Sequence, residues 1–264
     1  MSRAITQARG QRHGAMRPDP ALPFGMEGRA GAAVEGDDPH TALMRELNYF
    51  PTPPWAARAG GELIRRLDPA AEILWEPACG EGHAAGPLSE TFRVVLASDI
   101  HPHGFNPLHD FLSGDHGQVL GPDLQPDWII TNPPFAKAEA FVMEGLKVAR
   151  RGVAMLCRLA FIESVGRYGL MQRLALHAPF SERVPMQLGS WDPDLSSATA
   201  YAWFLWLQPG AIEASPLRAA IAGAWSADAV LTSLIPPGTC ARLTRPDDRV
   251  RYAGEAPCPQ MELL

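Results

Sequence analysis

The feature that most constrains the fold is a short apolar run that ends at two prolines. The run 127–131 (DWIIT) is followed directly by Asn132, Pro133, Pro134 and Phe135. Such a run predicts a buried strand, and the prolines end it because they cannot donate a backbone N–H to a sheet. Asn132 is therefore expected at the carboxyl end of the strand, where open α/β sheets bind ligands. The segment predicts a crevice lined by an amide, a rigid turn and an aromatic ring.

A strand, a glycine turn and a helix are predicted between residues 72 and 92. Residues 72–75 are mostly apolar, the turn 76–83 reads EPACGEGH, and a helical pattern follows over 83–92. Gly80 and Gly82 allow backbone N–H groups to approach a ligand closely. The spacing differs from the Gly-x-Gly-x-x-Gly of dinucleotide-binding folds. The turn therefore predicts a nucleotide-type site of another kind.

An acidic residue closes the next predicted strand. The strand covers 93–98 and ends at Asp99, about 20 positions beyond the glycine turn. A carboxylate at this place can accept hydrogen bonds from both ribose hydroxyls of a nucleoside. Acidic residues at strand ends also cap helices, so the ribose assignment depends on the spacing.

Together these segments resemble the adenine-specific DNA methyltransferases, in particular the short phage-type members. The resemblance rests on the Asn-Pro-Pro-Phe motif at 132–135, the Glu-Pro-x-Cys-Gly-x-Gly turn at 76–82, the Phe-Pro-Thr-Pro segment at 50–53 and the Asp-Phe-Leu element at 110–112. It spans roughly residues 49–207. It implies S-adenosyl-L-methionine as the cofactor and DNA as the substrate.

The resemblance also implies roles for individual residues. The implied catalytic set is Asn132, Pro133, Pro134 and Phe135; the implied cofactor-binding set is Thr52, Pro53, Glu76, Ala78, Gly80, Gly82, Asp99, Ile100, Asp110 and Phe111. In the implied mechanism, the Asn132 side-chain oxygen and the Pro133 carbonyl accept hydrogen bonds from the adenine amino group, and Phe135 stacks on the base. Transfer is direct, after the target nucleotide has left the duplex.

The implied fold is the class I methyltransferase fold, a Rossmann-like α/β fold. Its sheet is mostly parallel, with strand order 3-2-1-4-5 and a C-terminal antiparallel hairpin. A strand over 153–157 and a helix over 161–177 precede the hairpin, whose strands are predicted at 181–188 and 200–207. The hairpin loop carries Trp191 and Ser197, which are predicted to touch the substrate; ordinary loop packing is the alternative for Trp191.

We divide the chain into a disordered tail over 1–39, a catalytic domain over 40–210 and a C-terminal extension over 211–264 that contains no motif. The tail is rich in Gly, Ala, Arg and Pro and shows no sustained helical or strand period. Such a segment has too little apolar surface to offset its ordering entropy.

Other substrates remain open at this stage. Related enzymes with Asn-Pro-Pro-Tyr methylate RNA bases or a protein glutamine amide, and a non-catalytic cofactor-binding nucleic-acid module is a further alternative. Cytosine-N4 enzymes usually carry Ser where this chain has Asn132. Phe135 and the Cys79-bearing turn favour DNA.

Composition limits which other classes of protein this chain can belong to. The net charge of -6 argues against a basic nucleic-acid coat protein. The four cysteines are widely spaced and have no nearby histidines at zinc-ligand spacing, so we expect a reduced, cytoplasmic protein without a metal. No apolar run reaches the roughly 20 residues of a membrane span. We therefore expect no membrane partner, and the oligomeric state stays open.

Overall fold

The computed structural model describes residues 38–104, 106–122 and 124–253. Residues 1–37 of the predicted disordered tail lie outside the described part of the chain. Within that part, no helix has the length and apolar character needed to cross a bilayer.

The centre of the molecule is a mixed sheet of six strands, which confirms the predicted α/β class. The strands are β1 Ile73–Glu76, β2 Val94–Ala97, β3 Trp128–Thr131, β4 Gly152–Arg158, β5 Leu176–Pro179 and β6 Tyr201–Leu207. Their order in the sheet is β2-β1-β3-β4-β6-β5. The pairs β2–β1, β1–β3 and β3–β4 are parallel, whereas β6 is antiparallel to both β4 and β5.

Helices cover both faces of this sheet. They are α1 Pro39–Leu47, α2 Pro54–Leu67, α3 Ala85–Ser89, α4 Gly117–Leu120, α5 Ala138–Val148, α6 Tyr168–Met171, α7 Pro209–Ala214, α8 Arg218–Ser226, α9 Thr239–Leu243 and α10 Asp248–Tyr252, with 3-10 turns at 111–113, 135–137 and 159–162. Helix α2 begins at a proline, whose missing N–H is not needed in a first helical turn.

The strands divide the core into two layers because successive side chains point to opposite faces of a sheet. Leu74 and Ile130 pack with α2 residues such as Trp55. Trp75 and Ile129 point the other way and pack with residues of α5. The apolar contacts of the two layers fix the register of β1 against β3, since a shift by one residue would exchange the faces.

The predicted third strand is absent from the described residues, so the predicted order 3-2-1-4-5 is wrong in that detail. Between Pro102 and Gly121 the chain makes a single parallel bridge, Asp99 to Leu108, and then short helical turns. Pro102 and Pro107 offer no backbone donor there, and glycines interrupt the rest. The sheet therefore ends at β2.

The first strand of the hairpin lies earlier in the chain than predicted. Residues 176–179 form β5, although 161–177 was predicted as a helix and 181–188 as the strand. Gly166 and Gly169 each cost a helix about 1 kcal/mol relative to Ala, which leaves only the short α6. Pro185 cannot donate to a ladder, so 181–188 stays irregular.

The segment after β6 packs on the same core as the preceding residues. Ala211, Ile221 and Ile235 belong to the layer that contains α2. Residues 230–235 run beside β5, with bridges from Thr232 to His177 and from Ile235 to Phe180. The outer edge of β5 is therefore covered.

Candidate active site

A cleft opens at the carboxyl ends of β1, β2 and β3. Nine predicted site residues line it: Thr52, Glu76, Ala78, Asp99, Ile100, Asp110, Phe111, Asn132 and Pro134. The others lie outside its lining: Pro53, Gly80, Gly82, Pro133, Phe135, Trp191 and Ser197. The lining combines apolar side chains with a few polar groups, as small-molecule sites usually do.

Two neighbouring strands bring the glycine turn and the Asn-Pro-Pro segment to one place. Strands β1 and β3 are parallel, with Leu74 opposite Trp128 and Trp75 opposite Ile129. Glu76 ends β1, and Asn132 follows β3 directly. A ligand over β1 therefore lies beside a ligand over β3, as the predicted strand order requires.

The side chain of Asn132 is held in one orientation. Its Nδ2 donates a 2.8 Å hydrogen bond to the Phe50 carbonyl oxygen. Since that carbonyl can only accept, the amide nitrogen must face Phe50, and Oδ1 faces the other way. Oδ1 is buried and has no hydrogen-bond partner among the described residues. The cleft thus contains a fixed acceptor that lacks a donor.

The segment before α2 also holds the backbone of the Asn-Pro-Pro-Phe motif. The Asn48 Oδ1 atom accepts a 2.9 Å hydrogen bond from the Phe135 backbone N–H. Asn48 ends α1 in the left-handed conformation, with φ at 55°, which asparagine tolerates better than most residues. Asn48 and Phe50 therefore fix the motif at its two ends.

The ring of Phe135 has a cation above it. The guanidinium carbon of Arg158 lies 4.2 Å from the ring centroid, and Phe50 and Tyr201 approach from the sides with centroids 5.4 and 6.3 Å away. Arg158 ends β4 and also hydrogen-bonds the Tyr201 hydroxyl. Its Nε is buried without a partner among the described residues. A base that stacks on Phe135 must share this ring with Arg158.

Tyr49 packs directly on the glycine turn. Gly80 has φ at +52°, and a Cβ atom there would lie 2.3 Å from the Tyr49 ring. The Tyr49 hydroxyl accepts a hydrogen bond from the Glu81 N–H, with a donor to acceptor distance of 3.2 Å. The position therefore requires glycine for two reasons, backbone conformation and space.

Asp99 ties the glycine turn to the tip of β2. Its Oδ2 accepts a 2.8 Å hydrogen bond from the Gly80 N–H, and its Oδ1 accepts one of 2.9 Å from the His101 N–H. Each carboxylate oxygen can accept a further hydrogen bond. Asp99 can therefore order the turn and bind a ligand hydroxyl together.

Glu76 is a buried carboxyl group at the floor of the cleft. It is 2% exposed, and its Oε2 has no hydrogen-bond partner among the described residues. Burial raises the pKa of Glu76 well above its ordinary value, and the nearby Asp99 carboxylate adds to the effect. The Ala85 backbone N–H donates to this carboxyl group and opposes the shift. A cationic ligand group would complete the site.

The wall beyond β2 is apolar at its rim. Ile100 is 55% exposed and faces the cleft, where a flat ring could cover it. Asp110 lies nearby and accepts a 2.9 Å hydrogen bond from the Leu112 N–H, which leaves its second oxygen to solvent. Phe111 is buried beneath them.

Trp191 and Ser197 lie in the loop between β5 and β6, away from the cleft lining. Trp191 is 4% exposed, and its Nε1 has no partner among the described residues. The Ser197 hydroxyl oxygen accepts a hydrogen bond from the Thr199 N–H. The loop approaches the site near its middle, where the Gly189 N–H donates to the Tyr49 carbonyl oxygen.

Several lining residues were missed by the sequence interpretation, namely Asn48, Tyr49, Phe50, His83, His109 and Lys137. Asn48, Tyr49 and Phe50 directly precede the Pro-Thr-Pro segment, and this proximity was the available signal. His83 directly follows the second glycine of the turn. Its neighbours in space come from residues far along the chain, which no local pattern indicates.

Comparison with solved structures gives remote likenesses. A type I restriction-modification methyltransferase subunit from Streptococcus thermophilus has 9% identity and a TM-score of 0.45; the match covers 64% of this chain and 47% of that one. The M protein of the type I enzyme EcoKI has 12% identity and a TM-score of 0.42, with 60% and 43% covered. The 23S rRNA methyltransferase ErmE has 19% identity and a TM-score of 0.40, with 58% and 68% covered.

This chain therefore spans about half the length of the type I subunits. No protein-family model matches the chain, and no curated protein matches it. At such identities and TM-scores the likenesses carry no information on ligands, so function is argued from the cleft itself.

Proposed function

We propose that this protein transfers a methyl group from S-adenosyl-L-methionine to the N6 amino group of adenine in DNA. The observation that carries the proposal is the buried, unpartnered Oδ1 of Asn132 in a cleft that also contains the glycine turn. A buried acceptor without a donor costs about 1–3 kcal/mol. A substrate amino group at this place would remove that cost.

The cleft fits the proposed cofactor at three points. Ile100 offers an apolar surface for the adenine ring, and Asp99 retains acceptor capacity for ribose hydroxyls. Glu76 offers an unpartnered carboxyl oxygen, which suits the positively charged amino-acid end. Thr52 and Pro134 line the same cleft as these groups and Asn132.

The chemistry requires positioning, because the lone pair of an adenine amino group is delocalised into the ring. Bound S-adenosyl-L-methionine supplies a sulfonium methyl group, whose C–S bond breaks with its electron pair left on sulfur. Asn132 Oδ1 and the Pro133 carbonyl would accept the two amino hydrogens and favour a pyramidal nitrogen, whose lone pair forms the new C–N bond. One amino proton then leaves to solvent. Such fixed acceptors act by orientation and by stabilising charge in the transition state.

DNA is the proposed substrate because Phe135 in place of Tyr and the Cys79-bearing turn favour it over RNA and protein. In a duplex the target base must first leave the stack, at a cost of a few kcal/mol. The aromatic surface of Phe135 beside Asn132 would receive the extruded base. A base in structured RNA or a protein glutamine amide presents the same NH₂ group, so the test includes both.

The direct test is incubation with S-adenosyl-L-methionine carrying a labelled methyl group. Parallel reactions contain unmethylated duplex DNA, structured RNA, or a glutamine-containing peptide, and mass spectrometry of the digests locates the label. We expect N6-methyladenine in DNA. Label confined to RNA or peptide would overturn the DNA assignment. Cofactor binding without transfer to any of the three would favour a non-catalytic binding module.

A further inference from the structure

His83 is a buried side chain at the cleft that has one partner and one free nitrogen. It is 4% exposed and lines the cleft just after the glycine turn. Its Nε2 lies 2.8 Å from the backbone carbonyl oxygen of Tyr252, in the C-terminal helix α10. Its Nδ1 is buried and has no hydrogen-bond partner among the described residues.

The partner of Nε2 decides the chemistry of Nδ1. A carbonyl oxygen can only accept, so Nε2 must carry the proton in this hydrogen bond. Burial lowers the pKa of His83, which keeps the ring neutral near pH 7. A neutral imidazole protonated at Nε2 has an acceptor at Nδ1. The cleft lining therefore includes a third buried acceptor without a donor, after Asn132 Oδ1 and Glu76 Oε2.

Two of these acceptors, those of Glu76 and His83, belong to the same turn. Glu76 begins the segment 76–85, His83 lies near its end, and the Glu76 carboxyl group accepts a hydrogen bond from the Ala85 N–H. Both residues line the cleft, and a carboxylate oxygen and an imidazole nitrogen each suit a group with positive charge and several N–H donors. In the proposed cofactor only the α-ammonium group of the methionine moiety has that chemistry.

We propose that His83 binds the α-ammonium group of S-adenosyl-L-methionine through Nδ1, and that the Tyr252 carbonyl of the C-terminal segment positions it by fixing the tautomer. This inference rests on the proposed function for the identity of the cofactor. Under this proposal Tyr252, which lies some 45 positions after the last strand of the sheet, becomes part of the cofactor site.

The C-terminal segment is held in place independently of any ligand. Tyr252 packs against Gly86 of α3, where a Cβ atom would lie 2.3 Å from the tyrosine hydroxyl oxygen. Asp248 makes two 2.7 Å hydrogen bonds to the Arg58 guanidinium of α2. The side chains of this ion pair are 1% and 5% exposed. The carbonyl that positions His83 is therefore fixed before the cofactor arrives.

Two substitutions test the roles of the two ring nitrogens of His83 one at a time. H83Q can keep a donor toward Tyr252, because a glutamine amide nitrogen reaches the place of Nε2, but it has no acceptor at the place of Nδ1. H83N has an amide oxygen near the place of Nδ1 and loses the donor toward Tyr252. The matched control is H177Q, which alters another buried histidine whose Nε2 has no partner and which lies in β5.

Calorimetry with two ligands tests the proposal. The ligands are S-adenosyl-L-methionine and 5′-methylthioadenosine, which lacks the amino-acid moiety. We expect H83Q to weaken binding of the first by about ten- to a hundredfold, the range for a hydrogen bond to a charged group. Binding of 5′-methylthioadenosine should change less than about twofold on the same scale. H83N should retain more affinity for the first ligand than H83Q, and H177Q should bind both as the wild type does.

Other outcomes overturn the inference in distinguishable ways. Equal losses for both ligands in H83Q would make His83 a structural residue, and unchanged affinities would remove it from the site. A wild-type protein that binds neither ligand would refute the proposed function as well.

If H83Q does not fold, the ¹⁵N resonances of the histidines in the wild-type protein provide the test. The His83 Nδ1 signal should move upfield with S-adenosyl-L-methionine and stay in place with 5′-methylthioadenosine. A Nδ1 signal that stays in place with both ligands overturns the inference.

Discussion

The Phe50 carbonyl oxygen accepts a 2.8 Å hydrogen bond from the Asn132 side-chain nitrogen, and this bond decides which amide atom faces the cleft. The contact joins residues 82 positions apart in the chain. Without it the amide could turn and present a donor to a substrate amino group, which is itself a donor. The segment before α2 thus sets the polarity of the proposed catalytic residue.

Replacing Asn132 separates catalysis from cofactor binding. Asn132→Ala removes the acceptor, and we expect methyl transfer to fall by at least about a hundredfold, the usual cost of losing one group that stabilises the transition state. The dissociation constant for S-adenosyl-L-methionine should change less than about twofold, because the amide faces the substrate. Single-turnover transfer and calorimetry measure the two quantities. A variant that kept most of its activity would remove Asn132 from the reaction.

Asp99 should affect cofactor binding more than catalysis. Asp99→Ala removes the acceptor for the Gly80 and His101 N–H groups and a proposed ribose contact. We expect cofactor affinity to fall by about tenfold or more, since hydrogen bonds to charged groups contribute roughly 1.5–3 kcal/mol. Asp99→Asn keeps one oxygen and should bind with intermediate affinity. Calorimetry that shows unchanged affinity in both variants would exclude Asp99 from the ribose site.

Arg158 should support the stacking surface of Phe135. Arg158→Ala removes the guanidinium group from the ring face, and we expect kcat/KM for DNA to fall by about tenfold, as a desolvated cation–π contact is lost. Arg158→Lys should recover part of the loss, because an ammonium group cannot lie flat on a ring. Steady-state kinetics at fixed ionic strength provides the comparison. Full recovery in the lysine variant would show that charge alone matters.

Glu76 should make the ligand-free protein less stable as pH rises. Its folded pKa lies above the ordinary value of 4.5, so between these values the folded state holds a proton that the unfolded state has lost. In that window the contribution of Glu76 to the free energy of unfolding falls by about 1.4 kcal/mol per pH unit. Below pH 4.5 both states are protonated, and the effect vanishes.

Denaturant unfolding of wild type and Glu76→Gln between pH 4 and 8 measures this contribution, since glutamine does not titrate. We expect the variant to gain stability relative to wild type as pH rises. Cofactor binding should release a proton from wild-type Glu76, which calorimetry in buffers of different ionisation enthalpy detects. A pH-independent stability difference would mean that the pKa of Glu76 is not raised in the ligand-free folded protein.

The buried ion pair between Arg58 and Asp248 should matter for stability. Asp248→Ala leaves Arg58 with Glu90, whose side chain is 24% exposed, and we expect a loss of roughly 3 kcal/mol because a buried cation loses its main partner. Arg58→Met combined with Asp248→Leu should recover much of that loss. Denaturant unfolding followed by circular dichroism gives the free energy of unfolding of each variant. A double variant less stable than Asp248→Ala would contradict this account.

The strands that the sequence predicts well are those with continuous apolar runs. β3, β4 and β6 are each buried along most of their length, so their composition alone marks them. β5 has four residues, and its apolar side chains also fit the end of a helical period, which explains the incorrect helix over 161–177. The expected third strand came from the family pattern, and the proline-containing segment does not support it.

The site was predictable where its residues are close in sequence. Glu76 and Asn132 lie at strand ends in recognisable motifs, and both line the cleft, while their roles stay predictions. The partners that orient them were missed. Phe50 contacts Asn132 across 82 positions, and Tyr252 contacts His83 across 169. Such pairs depend on tertiary packing, which no local period or spacing encodes.

Residues 230–235, which lie beside β5, affect how molecules of this protein can associate. An edge strand presents unpaired N–H and C=O groups that can template the addition of a strand from another chain. Residues 230–235 occupy that position through the bridges to His177 and Phe180. A shortened protein that ends before residue 230 would uncover the template, and such molecules would join through their sheets into intermolecular β-structure.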